Sequence, residues 1–263
     1  MQLRNDAAKE EWMAGYNRQA TKQSFDRDGY TVIRAFFSTE EIDEIHGEID
    51  RYVRDIVPGL PIKSAFYQNC DDLSTLKQLE HMSGHDAFFK RYFEDPRFFE
   101  LGELLLDGPV TAENLQWFDK PPAQSSPTPA HQDGFYFCLK PNEALNMWLS
   151  LDEIDESNGC IRYVVGSHRR GLRPHLNTNT LGFSQGLSNW GPEDSANEVA
   201  VTTSPGDLIV HHSLTIHRAD ANQSSHRRQA MGGIYYSHRA KPDDEALAAY
   251  LRNLDGLIEA SSS

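Results

Sequence analysis

The sequence is poor in the features that mark several common classes of protein. Only three cysteines occur among the 263 residues, Cys70, Cys138 and Cys160, and their wide spacing fits neither a zinc ribbon nor a redox pair. We expect all three to be reduced, packed thiols. No stretch approaches the roughly 20 apolar residues of a membrane span, and the first twenty residues hold no apolar core of signal-peptide length. The sequence therefore predicts a soluble, cytoplasmic protein.

Basic residues are scarce relative to acidic ones. The chain has 25 lysines and arginines against 39 aspartates and glutamates, a formal net charge of −14. This balance argues against nucleic acid or an anionic membrane as a partner. Glycine-rich phosphate loops, nucleophile elbows and internal repeats are missing as well, which excludes the common nucleotide enzymes, serine hydrolases and solenoids. A small-molecule partner is the remaining expectation.

The sequence does contain short β-like runs between helical segments. Ser38, followed three places later by Glu41, has capping-box spacing and predicts a helix, Pro96 divides a second helical stretch in two, and the C-terminus predicts a third. The β-like runs are YTVIRAF, VTAENLQWF, ALNMWLSL, CIRYVV, GDLIVHHS and QAMGGIYYS. This pattern predicts a mainly β fold with flanking α-helices, a jelly-roll barrel.

We expect one domain over residues 1–263. Its helical elements would run to about residue 106, its barrel core from about 110 to 240, and its C-terminal helix from about 243 to 260. In ALNMWLSL, alternation puts leucines and a methionine on one face and Asn146, Trp148 and Ser150 on the other. The polar and aromatic face predicts a pocket inside the barrel.

The segment HQDGFYF carries the first candidate metal ligands. If it lies on a strand, His131 and Asp133 share one face while Gln132 points away. His217 ends a later strand-like run, and a loop returns the chain to Arg228 eleven residues on. Alternation then directs Arg228 inward and Arg227 outward. The sequence thus offers two histidines and a carboxylate as candidate ligands of one metal site, with an inward-facing arginine beside them.

Four segments in order resemble the phytanoyl-CoA dioxygenase family of iron(II)- and 2-oxoglutarate-dependent oxygenases. They are FDRDGYTVIRAFFSTEEID, FDKPP with HQDGFYF, MWLSLDEIDESNGCIRYVVGSH and SPGDLIVHHSLTIHRADANQSSHRRQA. The resemblance implies a double-stranded β-helix, a cupin-like barrel, in which His131, Asp133 and His217 bind iron. It also implies that Arg228 binds the distal carboxylate of 2-oxoglutarate, in a pocket lined by Lys120, Gln116 and Trp148. Many members have a serine where this chain has Ala219, so a contact to the cosubstrate is expected to be missing.

The chemistry of these residues is consistent with that assignment. Two histidines and one carboxylate leave about three of six octahedral positions open, enough for a chelating oxoacid and dioxygen. Iron, Asp133, the oxoacid and Arg228 sum to zero formal charge, so the site can be buried. Because Asp133 occupies the position that a halide would need, we expect hydroxylation, or a demethylation or desaturation that follows from it. No catalytic group beyond the metal centre is expected.

Two other functions stay open from the residues alone. Imidazole and carboxylate also suit zinc, so a zinc-dependent hydrolase on the same barrel is one alternative. A noncatalytic barrel that binds a metabolite is the other.

The expected substrate is a small metabolite, and one of two interpretations of a basic loop makes it anionic. In RYVVGSHRRGLRPH, basic residues cluster within an otherwise acidic chain, and a loop at the pocket mouth would attract an acid. The same loop has a purely structural interpretation, in which its basic residues pair with acidic loops nearby. The candidate substrate residues are Tyr136, Asn146, Arg162, Arg169 and Arg170.

Overall fold

The computed structural model describes residues 16–69, 71–122, 125–180 and 183–261. The strands within these ranges are β1 (Tyr30–Ile33), β2 (Ala65–Tyr67), β3 (Leu76–Leu79), β4 (Val110–Lys120), β5 (Thr128–His131), β6 (Leu139–Lys140), β7 (Ala144–Ser150), β8 (Ile161–Val164), β9 (His175–Thr180), β10 (Phe183–Leu187), β11 (Glu198–Val201), β12 (Leu208–His212), β13 (His217–Ala219), β14 (Arg228–Ser237) and β15 (Lys241–Pro242). The helices are α1 (Arg18–Asp28), α2 (Thr39–Asp55), α3 (Met82–His85), α4 (Ala87–Phe93), α5 (Pro96–Leu105), α6 (Gly134–Phe137), α7 (Pro192–Ala196) and α8 (Asp244–Ser261).

Two antiparallel sheets form the centre of the fold. The larger has the strand order β1-β12-β7-β14-β4-β3-β2, and the smaller has the order β11-β8-β13-β5. Their inner faces meet in a small apolar cluster that includes Phe118 and Trp148 of the larger sheet and Ile161 and Tyr163 of the smaller. The two sheets therefore enclose an interior, as the predicted jelly roll requires.

The outer face of the larger sheet carries the main core. Leu145, Met147 and Leu149 of β7 pack there together with buried side chains of the helices, among them Ile45 of α2 and Leu101 of α5. The other residues of β7, Asn146, Trp148 and Ser150, are buried toward the interior. The division of β7 into a helix-facing and a barrel-facing side is thus as predicted.

The predicted helix starts are confirmed. Ser38 caps α2, and both hydrogen bonds of the capping box with Glu41 are present. α4 ends at Phe93 and α5 begins at Pro96, so the proline separates two helices, as expected. Arg97 of α5 then donates to Glu41 at 2.7 Å and to Asp95 at 2.9 Å, which ties α5 to α2.

The expected helical N-terminal part needs correction. It is not simply helical, because β2 and β3, between residues 65 and 79, extend the larger sheet beside β4.

Two of the three cysteines are as expected. Cys138 and Cys160 are buried free thiols, while Cys70 lies outside the described residues. Within the part of the chain that the structure describes, no helix has both the length and the apolar character needed to cross a bilayer.

Candidate metal centre and cosubstrate pocket

Three buried side chains converge between β5, β13 and α6. His131 ends β5 and is paired in register with His217, which begins β13. Asp133 Oδ1 lies 3.4 Å from His131 Nε2 and 3.6 Å from His217 Nε2. Asp133 is not on a strand, however. It caps α6 in helical backbone conformation, so the turn after β5, rather than strand alternation, brings its carboxylate to the two rings.

Gln132 does point away from this centre. Its side chain donates to the carbonyl oxygens of Gly171 and Leu214 and accepts from the backbone nitrogen of Arg173. Asp133 lies in the same turn as Gln132. These three bonds therefore anchor that turn to the loop after β8 and to the loop after β12.

The hydrogen bonds of the two histidines fix which nitrogen is free. His131 Nδ1 lies 2.8 Å from the carbonyl oxygen of Pro129, and His217 Nδ1 lies 3.0 Å from that of Thr215. A carbonyl oxygen only accepts, so Nδ1 carries the hydrogen in both rings and a neutral ring presents a lone pair at Nε2. Two lone pairs and a carboxylate oxygen thus face one point, an arrangement that a metal ion satisfies.

The protonation states agree with this arrangement. Burial would raise the pKa of Asp133, but the facing rings of His217, His131 and His211 hold it well below its usual range. Burial, followed by the neighbouring His131, holds the pKa of His217 well below that of a free histidine. An ionised carboxylate and a neutral imidazole are the forms that bind metals.

A further pair of residues supports the carboxylate from behind. Asp133 Oδ2 lies 3.0 Å from His211 Nε2 and accepts from Asn146 Nδ2 at 3.2 Å, while Tyr163 Oη lies 2.8 Å from His211 Nδ1. Asn146 was predicted to lie inside the barrel, whereas His211 and Tyr163 were not among the predicted site residues. Strand register was the signal, because His211 of β12 is paired with Asn146 of β7.

Two buried cations lie beside the metal centre. Arg228 of β14 is 2 % exposed, and its Nη2 and Nε atoms donate to the carbonyl oxygen of Gly159 at 2.9 and 3.2 Å. Lys120 of β4 is 7 % exposed and donates to the carbonyl oxygens of Ser126 and Asp220. Among the described residues no carboxylate lies within 4.0 Å of either cation, so the pair is suited to an anionic ligand.

Gly159 allows these groups to come so close. Its φ is +85°, and a Cβ there would lie 2.4 Å from the carbonyl oxygen of Asp220 and 3.3 Å from Lys120 Cδ. A glycine is therefore needed where the loop after β7 meets the loop after β13. Arg227, by contrast, faces outward and pairs with Asp119.

A cavity of about 690 Å³ connects these features. Its wall includes the three converging side chains and, of the other residues predicted for the cosubstrate pocket, Arg228, Lys120, Gln116, Trp148 and Ala219. Trp148 lies against Phe118, with ring centroids 4.8 Å apart. Arg228 Cζ lies 5.2 Å from the ring centroid of Trp148. The structure thus brings the predicted metal ligands and cosubstrate residues to one cavity.

The predicted substrate residues divide into two groups. Tyr136 and Asn146 line the cavity, whereas Arg162, Arg169 and Arg170 do not. Arg162 pairs with Glu156 and Asp220, and Arg170 pairs with Glu193 and Asp194. The basic loop is therefore held by acidic neighbours outside the cavity, in line with its structural interpretation.

Comparison with known proteins identifies the family. The family model of phytanoyl-CoA dioxygenase (PhyH) matches residues 25–230. The chain belongs to the phytanoyl-CoA dioxygenase family. It is 24% identical over 234 residues to peroxisomal phytanoyl-CoA dioxygenase of Rattus norvegicus, covering 84% of this chain and 68% of the relative. It is 26% identical over 208 residues to a probable alpha-ketoglutarate-dependent hypophosphite dioxygenase of Stutzerimonas stutzeri, covering 76% and 72%.

Solved structures agree with the architecture. EvdO2 from Micromonospora carbonacea var. aurantiaca, complexed with 2-oxoglutarate, aligns with a TM-score of 0.70 at 23% identity over 87% of this chain and 94% of that one. The epimerase SnoN, in complex with Fe3+, alpha ketoglutarate and nogalamycin RO, aligns with a TM-score of 0.69 at 22% identity over 85% and 84%. The predicted cupin-like fold is confirmed. So is the predicted class of enzyme, an iron- and 2-oxoglutarate-dependent oxygenase of the phytanoyl-CoA dioxygenase family.

Proposed function

We propose that this phytanoyl-CoA dioxygenase family member binds iron(II) through His131, Asp133 and His217 and hydroxylates a small metabolite, releasing succinate and CO2. The observation that carries the proposal is the convergence of three acceptor atoms, two Nε2 lone pairs and one carboxylate oxygen, all lying within 4.8 Å of one another. Acceptors that face each other in a buried site repel unless a cation lies between them.

The neighbouring cations supply the second part of the proposal. We place the distal carboxylate of 2-oxoglutarate on Arg228, whose planar guanidinium suits a carboxylate, with Lys120 adding a second positive charge. Asp133 offsets one charge of the metal, and Arg228 offsets one charge of the dianion, so the loaded site is close to neutral. Iron bound here would activate dioxygen, which is the oxidant: one oxygen atom would go to succinate as 2-oxoglutarate loses CO2, and the other to the hydroxylated substrate. Trp148 and Phe118 shield that part of the cavity from water.

The size of the cavity supports a small substrate. A volume of about 690 Å³ has to hold both the oxoacid and the substrate, which leaves room for a metabolite rather than a polymer. Its wall carries Lys77 but also Glu80 and Glu113. The cavity wall thus carries both positive and negative charge, and the arginines of the basic loop do not line it. Both features favour a zwitterionic substrate over a simple acid.

Succinate release tests the enzyme class and the metal together. Protein stripped with a chelator should release no succinate from 2-oxoglutarate in the presence of a metabolite mixture, and iron(II) should restore release while zinc(II) does not. Turnover supported by zinc(II), or hydrolysis without consumption of 2-oxoglutarate, would favour the zinc hydrolase. The same assay also tests the charge of the substrate. Succinate release is compared for small acids, matched neutral amides and zwitterions, and the class that is turned over best shows which charge the site prefers.

A further inference from the structure

The far oxygen of Asp133 has no free lone pair left for a metal. Its two hydrogen-bond partners, His211 Nε2 at 3.0 Å and Asn146 Nδ2 at 3.2 Å, occupy the two acceptor positions of Oδ2. Oδ1, in contrast, faces the two ring nitrogens of the proposed metal site. The two oxygens of one carboxylate are therefore held in different roles by their surroundings.

The direction of the bond to Asp133 follows from the carboxylate. An ionised carboxylate only accepts, so the facing nitrogen, His211 Nε2, carries a hydrogen that is directed at Oδ2. On the other side of the ring, the buried hydroxyl of Tyr163, with 0% exposure, lies 2.8 Å from His211 Nδ1. This contact keeps Nε2 turned toward the carboxylate.

The cage around His211 leaves it little freedom. Its side chain is 1% exposed and packs beside the rings of Tyr163 and His217, with centroids 5.3 and 4.5 Å away. Tyr163 in turn stacks on Tyr30 at 4.5 Å. A buried donor whose ring is packed against its neighbours and hydrogen-bonded at both nitrogens can hold a carboxylate in one orientation.

We propose that His211 is a positioning residue that keeps Asp133 Oδ2 away from the metal, so that Asp133 binds through Oδ1 alone and three coordination positions stay open. The proposal rests on the proposed function, since it takes His131, Asp133 and His217 as the ligands. A carboxylate bound through both oxygens would take one of the three positions that the oxoacid and dioxygen need. His211 thus acts on the number of open positions rather than on substrate.

Manganese(II) gives a readout that does not depend on turnover. With protein in excess, the water-proton relaxation rate per bound manganese(II) reports how many water molecules the ion keeps. We expect about three exchangeable waters in the unaltered protein and about two in His211→Phe, a loss of roughly one third of the relaxation enhancement. Affinity for manganese(II) should also fall, by about 10- to 100-fold.

The choice of variants separates this role from packing. His211→Phe keeps a ring of similar volume but strands the Tyr163 hydroxyl, so the double variant with Tyr163→Phe is measured beside it and should show the same loss. His211→Gln, which retains an N–H near the position of Nε2, should keep three waters. His212→Gln is the matched control, because this neighbour faces the other side of β12, lies beside Phe25 and accepts from the backbone nitrogen of Leu214, a bond that the glutamine side chain can keep.

The outcomes separate the ligand assignment from the role of His211. If Asp133→Ala binds manganese(II) as tightly as the unaltered protein does, the ligand assignment itself is wrong. If Asp133→Ala loses the ion while folded His211→Phe and the double variant keep the full relaxation enhancement, the ligands stand and the role of His211 is refuted. A loss in His212→Gln equal to that in His211→Phe would also refute it, because packing of the strand would then explain both.

Discussion

Arg228 lies directly opposite Lys120 across the pairing of β14 with β4, and backbone carbonyl oxygens are the hydrogen-bond partners of both buried cations. Two basic side chains this close repel each other when both are charged, and burial has removed their water. Burial, followed by the repulsion from Arg228, lowers the pKa of Lys120 from 10.5 to about 6. An arrangement of this kind is costly by itself and becomes favourable when a dianion binds.

Arg228→Ala should weaken 2-oxoglutarate binding far more than Arg227→Ala does. Loss of a buried charge-assisted pair costs about 3 to 5 kcal/mol, which is about two orders of magnitude or more in Kd, while loss of an exposed charge costs under about 1 kcal/mol. Isothermal titration of 2-oxoglutarate into the metal-loaded variants measures both. Equal effects of the two substitutions would show that the cosubstrate carboxylate does not lie on Arg228.

The affinity for 2-oxoglutarate should fall as the pH rises from about 6 to 8. The free protein has a neutral Lys120 above its pKa of about 6, and binding of a dianion favours the protonated lysine, so binding takes up a proton. The Kd then rises by up to about tenfold per pH unit in this window. Lys120→Met should remove the slope. A slope that persists in Lys120→Met would assign the titration to another group.

Ala219→Ser should tighten 2-oxoglutarate binding modestly. Ala219 is 4 % exposed and lines the cavity at the position where the family resemblance implies a serine, so a hydroxyl there can donate to the cosubstrate. One added hydrogen bond is worth about 1 kcal/mol, or about a fivefold lower Kd. An unchanged or higher Kd would mean that the cosubstrate does not approach this position.

Arg97→Ala should destabilise the fold without altering the metal site. Arg97 is 8 % exposed, pairs with Glu41 and Asp95, and lies 4.1 Å from the ring centre of Phe37. Its loss leaves two partly buried carboxylates unpaired, and we expect the free energy of unfolding in urea to fall by about 2 to 3 kcal/mol. Arg91→Ala, at an exposed position of α4, is the control and should cost under about 0.5 kcal/mol. Equal losses would contradict the anchoring role of Arg97.

The sequence predicted well whatever depends on neighbours along the chain. Strand alternation separates the two faces of β7 and directs Arg228 inward and Arg227 outward, because side-chain direction is a local property of extended backbone. Helix caps and the break at Pro96 are local for the same reason. The family resemblance then implied how these local elements assemble into a cupin-like barrel.

Features that depend on distant parts of the chain were not predictable in the same way. Asp133 reaches the two histidines through a turn whose anchors, Gly171 and Leu214, are about 40 and 80 residues away along the chain. The sequence left both interpretations of the basic loop open, because the carboxylate partners of Arg162 and Arg170, among them Asp220 and Asp194, lie in other parts of the chain. His211 and Tyr163 were missed because only strand pairing shows that they lie behind Asp133.

The most direct test of the account is the spectrum of the anaerobic protein with iron(II) and 2-oxoglutarate. Chelation of iron by the oxoacid at a site of two histidines and one carboxylate gives a weak charge-transfer band in the visible. We predict this band for the unaltered protein and its loss in His131→Ala, Asp133→Ala and His217→Ala, with His212→Ala unaffected. A band that survives in His217→Ala, or the absence of any band in the unaltered protein, would contradict the proposed metal centre.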